Sequence, residues 1–377
     1  MTSRGTRLRS AIAVTLAVLV LVPTGILFVR VWQQSTAERD STKLEQQGVE
    51  YLGALLPLVS ALAEFQSSAL QGVAKPPDSL PPAVARVSAV DGRLGAALKT
   101  TERWAQLQDK IGKLATATGT PLDIVTVHVE TSDLTLALFD AVRRNSELNR
   151  DPDSDISNLQ QTVAVDMPTV ITEVSLEGDY ANILQNVTGT ARDQVGVQLG
   201  QSALAVQSAV ATLTNNLQAA VDDTTSTTLS GDLVNTLDAF RRGVEAMNRG
   251  ANPGGLPSPA TMATAQTTLQ TALGSLSGVA LREMDRLLDE RLDTQAYRRA
   301  EAVGMAALVL LLVIGAVLVQ TVGRRPAPTA SPADMPGHEL SRNVPPGGTA
   351  YGGYPYGQAP GYGEDDPTRR ERFGALR

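Results

Sequence analysis

Asp151, Asp153 and Asp155 alternate along the chain, the spacing with which a calcium loop begins. Such a loop continues with Gly at its sixth place and Glu at its twelfth; Ile156 and Thr162 stand there. A helix-initiating turn accounts for the three acids better, with Asp155 as N-cap of the helix that follows. His128 and His338 are the only histidines and there is no Cys. Together these counts argue against a His- or thiolate-held metal, a Ser-His-Asp triad, a cysteine nucleophile and a disulfide framework. His128, between Val127 and Val129 on an expected helix, reads as a solvated or a satisfied structural residue rather than a ligand. Asp289 and Glu290 could serve acid–base chemistry, but in a charged helical stretch they read as solvated surface. Asn186, Val187 and Thr188 fit a glycosylation sequon, a pattern short enough to arise by chance. No catalytic residue, cofactor site or metal ligand is expected, and an enzyme is not.

Two further candidates lie near the C-terminal end. Tyr351, Tyr354, Tyr356 and Tyr362 are spaced by Gly and Pro in YGGYPYGQAPGYG. Segments of this composition bury too little to fold, so residues 323–377 are expected to be a disordered cytoplasmic tail. The tail reads first as a solvated linker; in the alternative reading its tyrosines offer stacking and hydrogen-bonding contacts to a cytoplasmic protein. Thr368, in EDDPTRR, is a candidate phosphorylation site, because a phosphate there would face Arg369 and Arg370.

The elements that position these residues start with two apolar runs. Residues 11–29 (AIAVTLAVLVLVPTGILFV) and 302–322 (AVGMAALVLLLVIGAVLVQTV) carry no charge. A helix of roughly 20 apolar residues crosses the hydrocarbon core of a bilayer. The first run is longer than a signal-peptide core, and no Ala-x-Ala cleavage pattern follows it. Trp32 suits an interfacial anchor. Transmembrane helices are thus expected at 11–31 and 301–322. Arg4, Arg7 and Arg9 precede the first, and Arg324 and Arg325 follow the second. This bias places residues 1–10 and 323–377 in the cytoplasm and 32–300 outside the plasma membrane. The outer region holds 32 Asp and Glu against 21 Lys and Arg, so nucleic acid is not an expected partner.

Within 32–300 the apolar residues keep helical time. Tyr51, Leu55, Leu58, Leu62, Phe65 and Ala69 form one stripe; Ile156, Leu159, Val163, Met167, Val170 and Val174 a second. Leu199, Ala203, Val206, Val210, Leu213, Leu217 and Ala220 form a third. No stretch of comparable length alternates with period two. Breaks are expected at 75–82, 117–121, 151–155, 222–228 and 249–257, with Ser258 as N-cap and Pro259 as first residue of a last helix. Arg282 with Asp285, and Arg286 with Asp289, would be helical neighbours on its solvated side. The fold expected is all-α: an elongated antiparallel bundle, in one unit or as two stacked four-helix bundles, whose first and last helices run on into the membrane. Pro57 would kink the first. Only 14 aromatic residues are present, so the core must consist of Leu, Val and Ala.

Three stretches carry a resemblance. Residues 47–62 (QGVEYLGALLPLVSAL), the turn Asp151, Pro152, Asp153 and Asp155 followed by Leu159 and Pro168, and residues 287–291 (LLDER) before the second span occur in this order. Residues 90–95 (VDGRLG) with Trp104 add to them. In this the outer region resembles the helical extracytoplasmic sensor region of two-span bacterial receptors, the methyl-accepting chemotaxis proteins and sensor histidine kinases. The resemblance implies signal perception and dimerisation, as a homodimer or with a partner receptor or kinase. It also shows departures. Ser157 and Asn158 replace an aromatic pair, and Gln66, Ser67 and Ser68 replace an Arg-bearing stretch. After the second span GRRPAPTASP cannot continue a relay helix, and the remainder is too short for a kinase domain. The expectation is a receptor-like protein without an output domain of its own, or else a structural, scaffolding envelope protein.

Overall fold

The computed structural model describes residues 3–149, 151, 153–224, 229–252 and 256–322. The described residues form helices and no strand: α1 (Ser3–Leu70), α2 (Leu80–Leu98), α3 (Thr101–Leu114), α4 (Pro121–Asn145), α5 (Ser154–Gln161), α6 (Met167–Asn186), α7 (Thr190–Asp223), α8 (Leu229–Ala251) and α9 (Pro259–Val322). A π-helical turn, Thr162–Asp166, joins α5 to α6. Residues 323–377, with Tyr351, Tyr354, Tyr356, Tyr362 and Thr368, lie outside the described residues, as does Pro152.

Local chemistry sets the helix ends. α4 starts in a capping box: Thr120 Oγ1 accepts from the Asp123 N–H while Asp123 accepts from the Thr120 N–H at 2.8 Å. α9 starts at Pro259 behind Ser258, as expected, and its Met262 N–H bonds the Ser258 carbonyl at 3.0 Å. Two breaks were not legible. α2 ends at Lys99 in the left-handed region (φ 53°), and α6 ends before Val187 and Gly189. Conversely, Pro81 and Pro82 belong to the first turn of α2, where a missing N–H does no harm, so the first loop is shorter than its prolines suggest. The π-turn lies just before Pro168, whose missing N–H the wider turn accommodates.

α1 packs on α2, α4 and α6, α6 on α7, and α5 on α7. α9 lies against α6 through Gln266 and Gly178, and against α8 where Gly243 meets Leu269 and Gly250 meets Met262. One continuous core runs from Val49 to Leu288, and a small second cluster gathers Val125, Ile183, Leu184 and Val195 near Leu70, the last residue of α1. The α1 stripe and the 156–174 stripe are buried along almost their whole length. Pro57 faces solvent.

The same two long helices then reverse their habit. From Val49 to Phe65, α1 turns its apolar side chains inward, yet none of the residues in its apolar window nearer the N-terminus is buried. The apolar window of α9 is equally bare, with Leu311 65 % exposed. Both helices are long and apolar enough to cross a membrane. Water would penalise two such contiguous surfaces, whereas a hydrocarbon solvent would not.

Candidate functional site

The turn singled out by sequence and the LLDER stretch meet. Arg291 on α9 grips Asp151 with both ends of its guanidinium, Nη2 to Oδ1 at 2.6 Å and Nη1 to Oδ2 at 3.0 Å. Nη2 also reaches Asp153 Oδ2 at 2.6 Å, and Nη1 lies 3.3 Å from Glu45 Oε2 on α1. The Asp151 side chain is wholly inaccessible, and Glu45 almost so. Asp151 takes two more bonds, from the Asp153 N–H at 2.9 Å and from Gln160 Nε2 at 3.2 Å. One guanidinium thus ties α1, the turn and α9 together.

Asp155 does not join this cluster. Helix α5 begins at Ser154, so Asp153 holds the N-cap position and gives its carboxylate to Arg291, while Asp155 sits in the first turn and accepts from the Ile156 N–H at 2.8 Å. The capping role expected of Asp155 is therefore corrected. Arg286 pairs with Glu283 and Glu290 rather than with Asp289, which accepts from Gln46 Nε2 at 2.6 Å. A carboxylate three or four residues away was available on either side, and Asp289 is turned toward α1.

The electrostatics follow from burial. Burial pushes the Glu45 carboxyl up to about 8, helped by the charge of Asp151 and a hydrogen bond to it, with Arg291 opposing. Glu45 is thus held toward its neutral form. Burial works against the charge of Arg291, but its bonds to Asp151 and Asp153 and the charge of Asp151 outweigh that and hold its proton more tightly than usual.

Beside the cluster opens a cavity of about 840 Å³ between α1, α5, α9 and the end of α7. Glu38, Asp155, Asp223 and Glu290 line it with Arg298 and Gln295. Gln295 is 7 % exposed. Its Nε2 donates to Thr42 Oγ1 at 3.3 Å, and the Thr42 hydroxyl in turn donates to the Glu38 carbonyl. The Gln295 Oε1 is enclosed, and no donor reaches it among the described residues. Two turns nearer the apolar windows, Arg299 latches α9 onto α1 a second time. It donates to Ser35 Oγ and Thr36 Oγ1, both at 2.8 Å, and lies 5.2 Å over the Trp32 ring, which stacks on Phe28.

No protein-family model, curated protein or solved structure matches this chain. The resembling stretches can still be placed. Asp91, from VDGRLG, is buried and accepts from Tyr51 Oη at 2.8 Å and Thr100 Oγ1 at 2.7 Å, which fastens α2 to α1. Gln66 and Ser67 donate to Asp179 on α6 at 2.8 and 2.9 Å. Burial raises Asp179 to about 7 and Glu177 to about 7. His128 is a core residue rather than a solvated one. It meets Phe65 edge-on, burial lowers it to about 4, and its Nε2 has no partner among the described residues.

Sequence reasoning missed Glu45, Glu177 and Gln295. A signal for the first two existed: Glu45, Val49, Leu52 and Leu56 share one helix phase, as do Val170, Val174, Glu177, Ala181 and Leu184. A carboxyl in step with an apolar stripe is a buried carboxyl.

Proposed function

We propose that this chain is a two-span membrane receptor component. Its outer helical bundle perceives a signal, and α1 and α9 carry that signal to a partner receptor or kinase on the cytoplasmic side. The observation that supports this most is the continuity of the two helices past one shared clamp. Glu45 lies about 20 Å along α1 from the first span, and Arg291 about 15 Å along α9 from the second, at 1.5 Å per residue. Anything that alters the packing at Arg291 therefore acts on both spans through unbroken helix, and small helix shifts are an established means of transmission. The basic residues flanking the spans support the orientation with both ends inside. In-cell crosslinking with mass spectrometry of the intact protein and of a form lacking 323–377 tests the reading. A specific receptor or kinase should be captured by the full chain. If none is captured, and deleting the tail instead changes localisation or envelope shape, the scaffolding reading replaces this one; the Tyr-rich composition of the tail is what favours it.

A further inference from the structure

Where α1 and α9 leave the bundle for their apolar windows, the charge reverses. The outer region as a whole is acidic, with 32 Asp and Glu against 21 Lys and Arg, but residues 29–35 and 296–302 carry Arg30, Arg298 and Arg299 against Glu301 alone. Two of these arginines line a cavity of about 200 Å³ between the helices. Arg299 is half-buried and fixed by neutral partners only, the Ser35 and Thr36 hydroxyls and the face of Trp32. Arg298 has no hydrogen bond or ion pair among the described residues. Glu38, the one acid in that lining, accepts from Gln34 Nε2 at 2.9 Å. A guanidinium withdrawn from water is ordinarily paired with an anion. A second cavity, of about 340 Å³, opens on the membrane side of Trp32 among Phe28, Val29 and Val303, and Trp32 borders both. From Phe28 to Ser35 α1 advances about 10 Å, the scale of a bilayer's polar margin.

We infer that the two cavities form one site for an anionic phospholipid, its phosphate between Arg298 and Arg299 and one acyl chain against Phe28, Trp32 and Val303. The guanidinium fork is shaped for phosphate oxygens, and that of Arg298 is open. Two positive charges against one engaged carboxylate favour a ligand of net negative charge over a zwitterion. A free inorganic anion would answer the arginines and leave the apolar cavity unfilled, whereas a lipid joins an anion to a hydrocarbon chain in the order in which the two cavities follow one another. Trp32 sits between them, as an interfacial aromatic does between headgroup and chain. The lipid would bridge α1 and α9 where they enter the bilayer, next to the Arg299 latch.

The inference goes beyond the receptor reading and needs only that the two helices span a bilayer. Trp32 is the reporter: it is 43 % exposed, whereas Trp104, the other tryptophan, is buried in the bundle and gives a constant background. The full chain is placed in phosphatidylcholine nanodiscs in which a minority of the lipid is brominated phosphatidylglycerol or, in parallel, the same fraction of brominated phosphatidylcholine or phosphatidylethanolamine. Phosphatidylglycerol should quench Trp32 preferentially, with a relative affinity of about tenfold or more. Arg298→Gln, at an exposed and unpartnered side chain, should lower that preference about fivefold, the factor that one basic residue contributes at an anionic surface. Arg30 is the control, exposed at the same depth along α1 as Trp32 but lining neither cavity; Arg30→Gln should change the preference less than about twofold. Equal losses from the two substitutions would mean diffuse attraction by a basic belt and overturn the site, as would equal quenching by the three lipids. Recovery of fluorescence on adding inorganic phosphate would overturn the lipid as occupant. Absence of quenching by all of them would put Trp32 outside the bilayer, overturning the two-span reading together with the site.

Discussion

Asp179 should make this protein less stable as pH rises, and Asp179→Asn should remove that dependence. The carboxyl is fully enclosed, and among the described residues its side-chain donors are Gln66 and Ser67. Burial raises it from 3.8 to about 7. A carboxyl raised in the folded state binds its proton more tightly there than in the unfolded chain. Its contribution is therefore fully present below about pH 4 and lost as pH climbs through 7. About three units correspond to about 4 kcal/mol lost between those limits, as an upper bound. Asparagine carries no such charge. Its Oδ1 can accept from Ser67, and the Gln66 amide can turn to accept from its Nδ2, so about 1 kcal/mol of hydrogen bonding is at stake. Asp179→Asn should then be 2–3 kcal/mol more stable than the parent at pH 8.5, about 5–10 °C in melting temperature, and equal or slightly more stable at pH 5. Glu45 and Glu177, both raised, contribute the same downward trend to both proteins, so the difference between the two profiles isolates Asp179. Circular-dichroism melts of the full chain in nanodiscs from pH 5 to 8.5 measure it. Parallel profiles would refute the reasoning, since they would mean that Asp179 ionises in the folded protein as easily as in the unfolded one.

Other substitutions probe the packing and the clamp. Arg291→Ala leaves Asp151 charged and enclosed and should cost about 3–5 kcal/mol, with Arg291→Lys recovering only part because it lacks the fork; melts that match the parent would show that the clamp holds nothing. Gly48→Ala would put a Cβ 2.2 Å from Ser146 Oγ and 2.8 Å from Leu148 Cδ1, and should cost about 1–3 kcal/mol. Gly92→Ala, with open space around it, should stabilise α2 by up to about 1 kcal/mol; denaturation of the pair side by side reads both signs. His128→Phe removes a ring nitrogen without a partner and keeps an aromatic against Phe65, so at pH 7 it should be neutral or stabilising, and a loss above about 2 kcal/mol would contradict the account of His128 as a neutral core group.

Much of the helical layout could be read from periodicity, because a Leu or Val every third or fourth residue has one inexpensive solution. Leu159, Val163, Met167 and Val170 are buried as their spacing requires, even though a π-turn runs through them. Breaks without Pro or Gly clusters were not legible: Lys99 ends α2 by taking a left-handed conformation that its side chain does not advertise. The turn at 151–155 was legible as a turn but not as half of a clamp. Asp151 and Arg291 meet only because α1 and α9 pack side by side, and nothing local to either residue encodes that. Gln295 was illegible for a related reason, since an amide becomes an orphan only through the partners its neighbours choose.

The separation of Glu45 from Arg291, 246 positions along the chain, has a consequence for biogenesis. At 5–20 residues per second the ribosome needs about 12–50 s to cover that distance. During this interval α1 can settle against α2, α4 and α6, but Asp151 lies at the growing core without its countercharge. The bundle therefore closes last, at the end nearest the apolar windows, and only when α9 arrives. A chain truncated before residue 291 would leave Asp151 and Glu45 without their guanidinium and the end of the bundle uncovered, a defect that quality-control proteases could read as an unfinished molecule.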